Sequence, residues 1–226
     1  MSPALPRAAD GPSVCQRPFV QNRILQGNCL EIMPRLRGGS VDMVLTDPPY
    51  VCGYRDRLGR TVANDDNTDW LKPAYAEMYR LLKPGSLCIT FYGWTQTDAF
   101  FAAWRAAGFR IVGHLVFCKE YASSERLLRC MHESAYVLAK GNAPWVAPPL
   151  SDVRPWTYTG NRLHPTQKPV ESLKPLIDTY CSPGGLVLDP FAGSGSSLVA
   201  AREVGRRYLG IELDPAHATT AKQRLR

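Results

Sequence analysis

Apolar residues along this chain fall into two rhythms. Compact apolar runs at Arg23-Ile24-Leu25-Gln26, Val41-Asp42-Met43-Val44-Leu45-Thr46, 87–92, Leu186-Val187-Leu188-Asp189 and 207–212 predict short strands, several buried on both faces. Between them, apolar positions recur at helical spacing. Those at 71, 75, 78, 79, 81 and 82 predict a helix over 70–82, which Lys83-Pro84-Gly85 stops. The same spacing predicts helices over 98–107, ended by Gly108, and over 170–180, 197–204 and 215–225, with a helical turn at 29–33 limited by Pro34. Residues 109–117 and 134–139 read as strands around a polar stretch at 118–133, and the proline-rich stretch 141–165 reads as irregular. Strand and helix alternate over most of the length. That alternation predicts an α/β fold, a single mostly parallel sheet with helices on both faces.

At 226 residues the chain suits one domain. Residues 1–22 read as a flexible lead-in and 23–226 as the folded unit, with a mobile loop at 51–68. No apolar run approaches the ~18 residues of a membrane helix, and the N-terminus lacks the apolar core of a signal peptide, so a cytoplasmic location and no membrane partner are expected. Seven cysteines are scattered without a CxxC pair, which argues against a zinc site or a disulfide framework; no metal is expected. The formal charge of +7 favours a polyanionic partner, although many basic proteins bind no nucleic acid.

Two turns at strand ends carry candidate chemistry, where open α/β sheets bind their ligands. In Asp47-Pro48-Pro49-Tyr50, a carboxylate and the Pro48 carbonyl offer two acceptors for an amino group, and Pro49 stiffens the direction of that carbonyl. An amine on an aromatic base is a poor nucleophile because its lone pair is delocalised. Hydrogen bonds accepted from its N–H groups localise the pair. Tyr50 offers a face on which an extruded base can stack. Asp-Pro-Pro is also a plain strand terminator. In Asp189-Pro190-Phe191-Ala192-Gly193-Ser194-Gly195-Ser196, glycines allow close approach of a ligand, and the following helix presents free N–H groups. No phosphate-loop lysine is present, so a cofactor with an aminoacyl end fits better: Asp189 can face its ammonium, and Glu212 at the end of the next strand can bind ribose hydroxyls.

These two turns, joined by His164-Pro165-Thr166-Gln167-Lys168-Pro169, resemble the amino-group DNA methyltransferases, over roughly residues 23–225. The catalytic motif precedes the cofactor motif, as in the β-class. The resemblance implies a circularly permuted Rossmann-like methyltransferase fold, S-adenosylmethionine as cofactor and double-stranded DNA as partner. It also implies that Asp47, Pro48, Pro49 and Tyr50 hold a flipped base. Asn28, Cys29, Asp47, Phe191, Gly193, Ser194 and Gly195 would line the cofactor with Asp189 and Glu212. Thr166, Gln167 and Lys168 would sit near its methionine end, where Lys168 can pair with a carboxylate. Relatives usually have Asp where Asn28 stands; the amide can still accept a bond from the cofactor's adenine, or cap the helix with Glu31 as capping-box partner.

Asp47 leans towards adenine N6 as the target, with cytosine N4 as the alternative. RNA or protein-amide methylation and a catalytically inactive DNA-binding regulator are more distant readings. Direct in-line transfer is expected, since no Pro-Cys nucleophile is present. Arg55, Arg57 and Arg60 on the loop, and Lys119, Arg126 and Arg129 in the short target-recognition stretch 118–133, are the expected DNA contacts, each with a solvated basic surface as the competing reading. Dimers are frequent in the β-class, and a homodimer is the corresponding expectation. A partner restriction enzyme is compatible with the family.

Overall fold

The structure, a computed structural model, describes residues 20–55, 59, 61–125, 127–160, 163–164 and 166–226. The lead-in up to residue 19, Arg57, Arg60 and Arg126 lie outside the described residues. Among the described residues, eight strands form one sheet: β1 (Arg23–Gln26), β2 (Val41–Thr46), β3 (Leu82–Phe91), β4 (Arg110–Lys119), β5 (His132–Ala139), β6 (Val153–Trp156), β7 (Leu186–Asp189) and β8 (Arg207–Glu212). Their order is β1-β8-β7-β2-β3-β5-β4-β6. Strands β1, β8, β7, β2 and β3 run parallel; β5 is antiparallel to both β3 and β4, and β6 is parallel to β4. Six helices cover the sheet: α1 (Cys29–Ile32), α2 (Leu71–Leu81), α3 (Thr97–Ala107), α4 (Val170–Tyr180), α5 (Ser196–Glu203) and α6 (Pro215–Arg224).

Alternation along each strand divides the core into two layers. Met43, Leu45, Ile89, Phe91, Val137 and Val187 pack with Leu173, Leu176 and Leu198 of α4 and α5. Val44, Cys88, Leu138, Leu188, Leu209 and Ile211 pack with Met33, Tyr75, Met78, Phe100 and Trp104 on the other face. Full burial of one such leucine contributes on the order of 2 kcal/mol, so the two layers supply the main driving force.

The architecture agrees with the sequence reading, with one correction. Residues 153–156, taken as irregular, form β6 at the sheet edge despite Pro155. An edge strand tolerates proline because a missing N–H there need not break a ladder. Pro84 and Gly85 end the helical pattern as expected, but β3 begins at once, at Leu82.

The amino ends of the central strands are stapled by Asp42. Its carboxylate contacts the Lys83 ammonium at 2.6 Å and accepts the Leu186 N–H at 2.8 Å, tying β2 to β3 and β7. Asp42→Ala leaves that N–H without its acceptor, and urea unfolding is expected to show a loss of about 1–3 kcal/mol; an unchanged midpoint and slope would contradict this role.

Candidate functional site

The carboxyl ends of β1, β8, β7 and β2 lie side by side, and the segments that leave them line one pocket. Gly27, Asn28 and Cys29 follow β1; Glu212 ends β8; Asp189 to Ser194 leave β7; Asp47 to Tyr50 leave β2. Thr166, Gln167 and Lys168, distant in sequence, join the same lining. Thus the pocket gathers the cofactor and catalytic residues expected from sequence, apart from Gly195, which lies behind it as the cap of α5. The turns are cross-braced: the Thr46 hydroxyl donates to Asp189 Oδ1 at 2.7 Å.

Asp47 is the unusual group. Its Oδ2 meets the Lys168 ammonium at 2.7 Å, whereas its buried Oδ1 has no hydrogen-bond partner among the described residues. A buried acceptor left unpaired is costly, and such sites call for explanation. Burial raises the Asp47 pKa above the usual carboxylate range; the Lys168 charge opposes that shift. The carboxylate that Lys168 meets is thus Asp47 of the Asp-Pro-Pro-Tyr turn, whereas the sequence reading set Lys168 beside a carboxylate at the methionine end of the cofactor. Its ammonium also donates to the Tyr50 hydroxyl at 3.2 Å and lies 5.2, 5.0 and 6.0 Å from the ring centroids of Tyr50, Phe91 and Trp156. Aromatic faces offset part of the cost of burying that charge.

The network continues inward. The Tyr50 hydroxyl donates to Glu133 Oε2 at 3.4 Å, and Glu133 Oε1 receives a short contact from the Lys119 ammonium. Burial alone would raise the Glu133 pKa, but Lys168 and Lys119 together bring it below the usual carboxylate value. Burial, then the charges of Asp47 and Glu133, push the Tyr50 phenol well above its ordinary pKa, so Tyr50 stays neutral. Lys119 is thus a correction: expected on an exposed basic stretch, its side chain is 3% exposed and locked to Glu133.

On the side of the pocket formed by the glycine-rich turn, Asp189 has both oxygens engaged. Oδ1 also accepts the Phe191 N–H at 3.0 Å, and Oδ2 accepts the Ser197 hydroxyl. Burial raises its pKa to about 6 against these stabilising bonds. Glu212 Oε2 accepts the Gly193 N–H at 2.6 Å and Oε1 accepts the Asp214 N–H at 2.7 Å. Gly193 and Gly195 sit at φ +51° and +81°, where a side chain would be strained. Asn28 caps α1 by accepting the Leu30 N–H at 3.0 Å; its expected bond with Glu31 is between backbones instead. Burial raises the Cys29 thiol to about 12, so it is a neutral wall of the pocket. Thr166 does not cap α4, whose cap is Pro169; its N–H and hydroxyl face His164 Nδ1 at 3.2 Å each. Gln167 Oε1 accepts the Leu163 N–H at 3.2 Å.

Of the described arginines proposed for DNA, Arg55 is exposed and bridges Thr61, and Arg129 is exposed and paired with Glu125 at 3.0 Å. Sequence reasoning missed Glu133, Asp65 and Gly93. Glu133 had a signal: it is in phase with Ala135, Val137 and Ala139 on a buried strand face. The same rule puts Lys119 in phase with Leu115 and Phe117.

A family model described as DNA methylase matches residues 41–223. The Escherichia coli (strain K12) protein YubD, whose assignment as a methylase is itself provisional, is 53% identical over 204 residues, covering 90% of both chains. From the same organism, the DNA adenine methyltransferase YhdJ is 28% identical over 242 residues, covering 89% of this chain and 82% of that one. The crystal structure of the M1.HpyAVI–SAM complex superposes with a TM-score of 0.72 at 24% identity, over 90% of this chain and 98% of the other.

Gly93 packs against the back of the catalytic turn: a Cβ there would lie 2.1 Å from the Tyr50 carbonyl oxygen. Backbone cannot yield as a side-chain tip does. Gly93→Ala is expected to destabilise the protein by about 1–3 kcal/mol in urea unfolding, and a variant as stable as the parent would show that the turn has room to move.

Proposed function

The chain belongs to the DNA methylase family of amino-group methyltransferases, and on that premise we propose that it methylates the N6 amino group of adenine in double-stranded DNA. The observation that carries the reading is the buried, unpartnered Oδ1 of Asp47, set in the pocket that the glycine-rich turn also lines. Both Asp47 and the similarity to an adenine methyltransferase favour adenine over cytosine.

The residues present fit S-adenosylmethionine, the methyl donor of this family. Gly193 at positive φ allows close approach, Glu212 presents a carboxylate at the end of β8, and Asp189, its oxygens held by Thr46, Phe191 and Ser197, fixes the glycine-rich turn in the pocket wall. The cofactor's sulfonium makes the methyl group electrophilic. The protein's part is positioning and polarisation. Asp47 Oδ1 accepts one N–H of the target amine, and the Pro48 carbonyl accepts the other. Two accepted bonds localise the nitrogen lone pair and fix its direction. Lys168 holds the other carboxylate oxygen and favours the ionised form against the opposing effect of burial. Tyr50, neutral and anchored by Lys168 and Glu133, supplies the stacking face for a base that must leave the duplex to reach so buried a carboxylate. Arg55 and Arg129, both exposed, are the candidate phosphate contacts on a chain of net charge +7.

Mass spectrometry of nucleosides from a methylation-free host expressing the protein tests the target directly. N6-methyladenine is the expected product; N4-methylcytosine would replace this reading by the cytosine alternative. Asp47→Ala is expected to abolish transfer while calorimetric titration still shows cofactor binding, and an active variant would remove Asp47 from the mechanism.

A pH dependence follows from the charges. Asp47 must be unprotonated to accept the amine bond, and its pKa is raised by burial, so the transfer rate falls as pH drops through that raised value. Lys168 lowers that pKa, so Lys168→Met moves the acidic limb of the pH–rate profile to higher pH; a limb that stays in place or moves down would contradict the pairing.

A further inference from the structure

The residue immediately after the catalytic turn is strained. Val51 stands at φ +56°, a region a β-branched residue rarely enters. Such conformations persist only where surrounding contacts over-determine them, and they concentrate at functional sites. Here the contacts come from Asp65, which is 4% exposed. Its Oδ1 accepts the Val51 N–H at 2.7 Å, and its Oδ2 accepts the Tyr54 N–H at 2.6 Å and the Cys52 thiol at 3.4 Å. Its carbonyl accepts the Gly53 N–H at 2.9 Å. One residue thus engages four consecutive residues downstream of Tyr50.

Asp65 is also tied to the cofactor side. The indole N–H of Trp70 donates to the Asn64 carbonyl at 3.0 Å and to that of Asn67 at 3.1 Å. The Trp70 ring lies edge-on to Phe191 of the glycine-rich turn, 5.1 Å between centroids. The segment 64–67 that carries Asp65 is therefore linked through Trp70 to Phe191 of the glycine-rich turn.

We propose that Asp65 is a positioning residue for methyl transfer: its carboxylate holds Val51 in the strained conformation, and so fixes Tyr50 and the Pro48 carbonyl relative to the cofactor turn. The proposal rests on the methyltransferase reading above. It gives the strain a purpose. A carboxylate accepts two backbone N–H groups with charge assistance, whereas an amide oxygen offers one uncharged acceptor group. Loss of the clamp lets Val51 relax to negative φ and swings the Tyr50 carbonyl away from Gly93. Displacements near 1 Å at a reacting centre cost about 100-fold in rate.

The test measures transfer of a tritiated methyl group from S-adenosylmethionine to unmethylated genomic DNA, per folded protein. Asp65→Asn is expected to lower kcat by about 10-fold or more, while the Kd for S-adenosylmethionine shifts much less. Adding Val51→Gly is expected to recover much of the lost rate, because glycine adopts positive φ without strain. Glycine at position 51 also relieves native-state strain and so can restore stability; because rates are taken per folded protein, such a gain does not register as recovered kcat. If Asp65→Asn does not fold, the double variant is compared with Val51→Gly alone: similar rates support the clamp, and a gap of about 10-fold or more overturns it. Wild-type rate in Asp65→Asn, no gain from Val51→Gly, or a Kd change as large as the kcat change would each overturn it. A wild-type protein that labels no DNA would instead overturn the methyltransferase reading.

Discussion

A carboxylate buried with one oxygen paired and the other unused is the constraint on which this site depends. Leaving a carboxylate inside a protein is tolerable only where a charge or donors compensate its lost hydration. Lys168 compensates on one side of Asp47 alone, at 2.7 Å. The other oxygen, Oδ1, has no hydrogen-bond partner among the described residues, and it is the acceptor proposed for an incoming N–H. The ammonium is itself secured by the Tyr50 hydroxyl and three aromatic rings. Glu133 and Lys119 balance the remaining charge behind Tyr50. Two buried ammonium groups and two partly buried carboxylates make a network of zero net charge, in which Asp47 Oδ1 has no partner among the described residues.

The sheet makes this arrangement possible. Parallel neighbours bring all their carboxyl ends to one edge, so turns far apart in sequence become adjacent. Thr46 and Asp189 are 143 positions apart and share a 2.7 Å hydrogen bond. The base-side turn is held from below by Gly93 and from its downstream end by Asp65, and the cofactor-side turn is held by Ser197 and Glu212. Rigidity of this kind lets a weak nucleophile be presented in one direction.

Much of this was legible in the residues. Apolar runs and helical spacing located the elements, and Asp47-Pro48-Pro49-Tyr50 and Asp189 to Gly195 announced themselves because Pro, Gly and Asp cluster only where the backbone turns. Edge strand β6 escaped because Pro155 masks a strand of four residues. Lys119 was misplaced because its neighbours in sequence are polar, although its phase with Leu115 and Phe117 puts it inside. The strain at Val51 left no trace in residue type, since valine at positive φ contradicts its own preference. Asp65 was invisible for the same reason: its partners are backbone N–H groups, which every residue but proline carries.

The most direct test is a crystal structure of the protein with a duplex containing its target sequence and the non-reactive cofactor analogue sinefungin. The expected result is an extruded adenine whose amino nitrogen lies about 2.7–3.2 Å from Asp47 Oδ1, with Lys168 still on the other oxygen. An extruded base whose amine is bound elsewhere, with Oδ1 turned onto a protein donor, would contradict it.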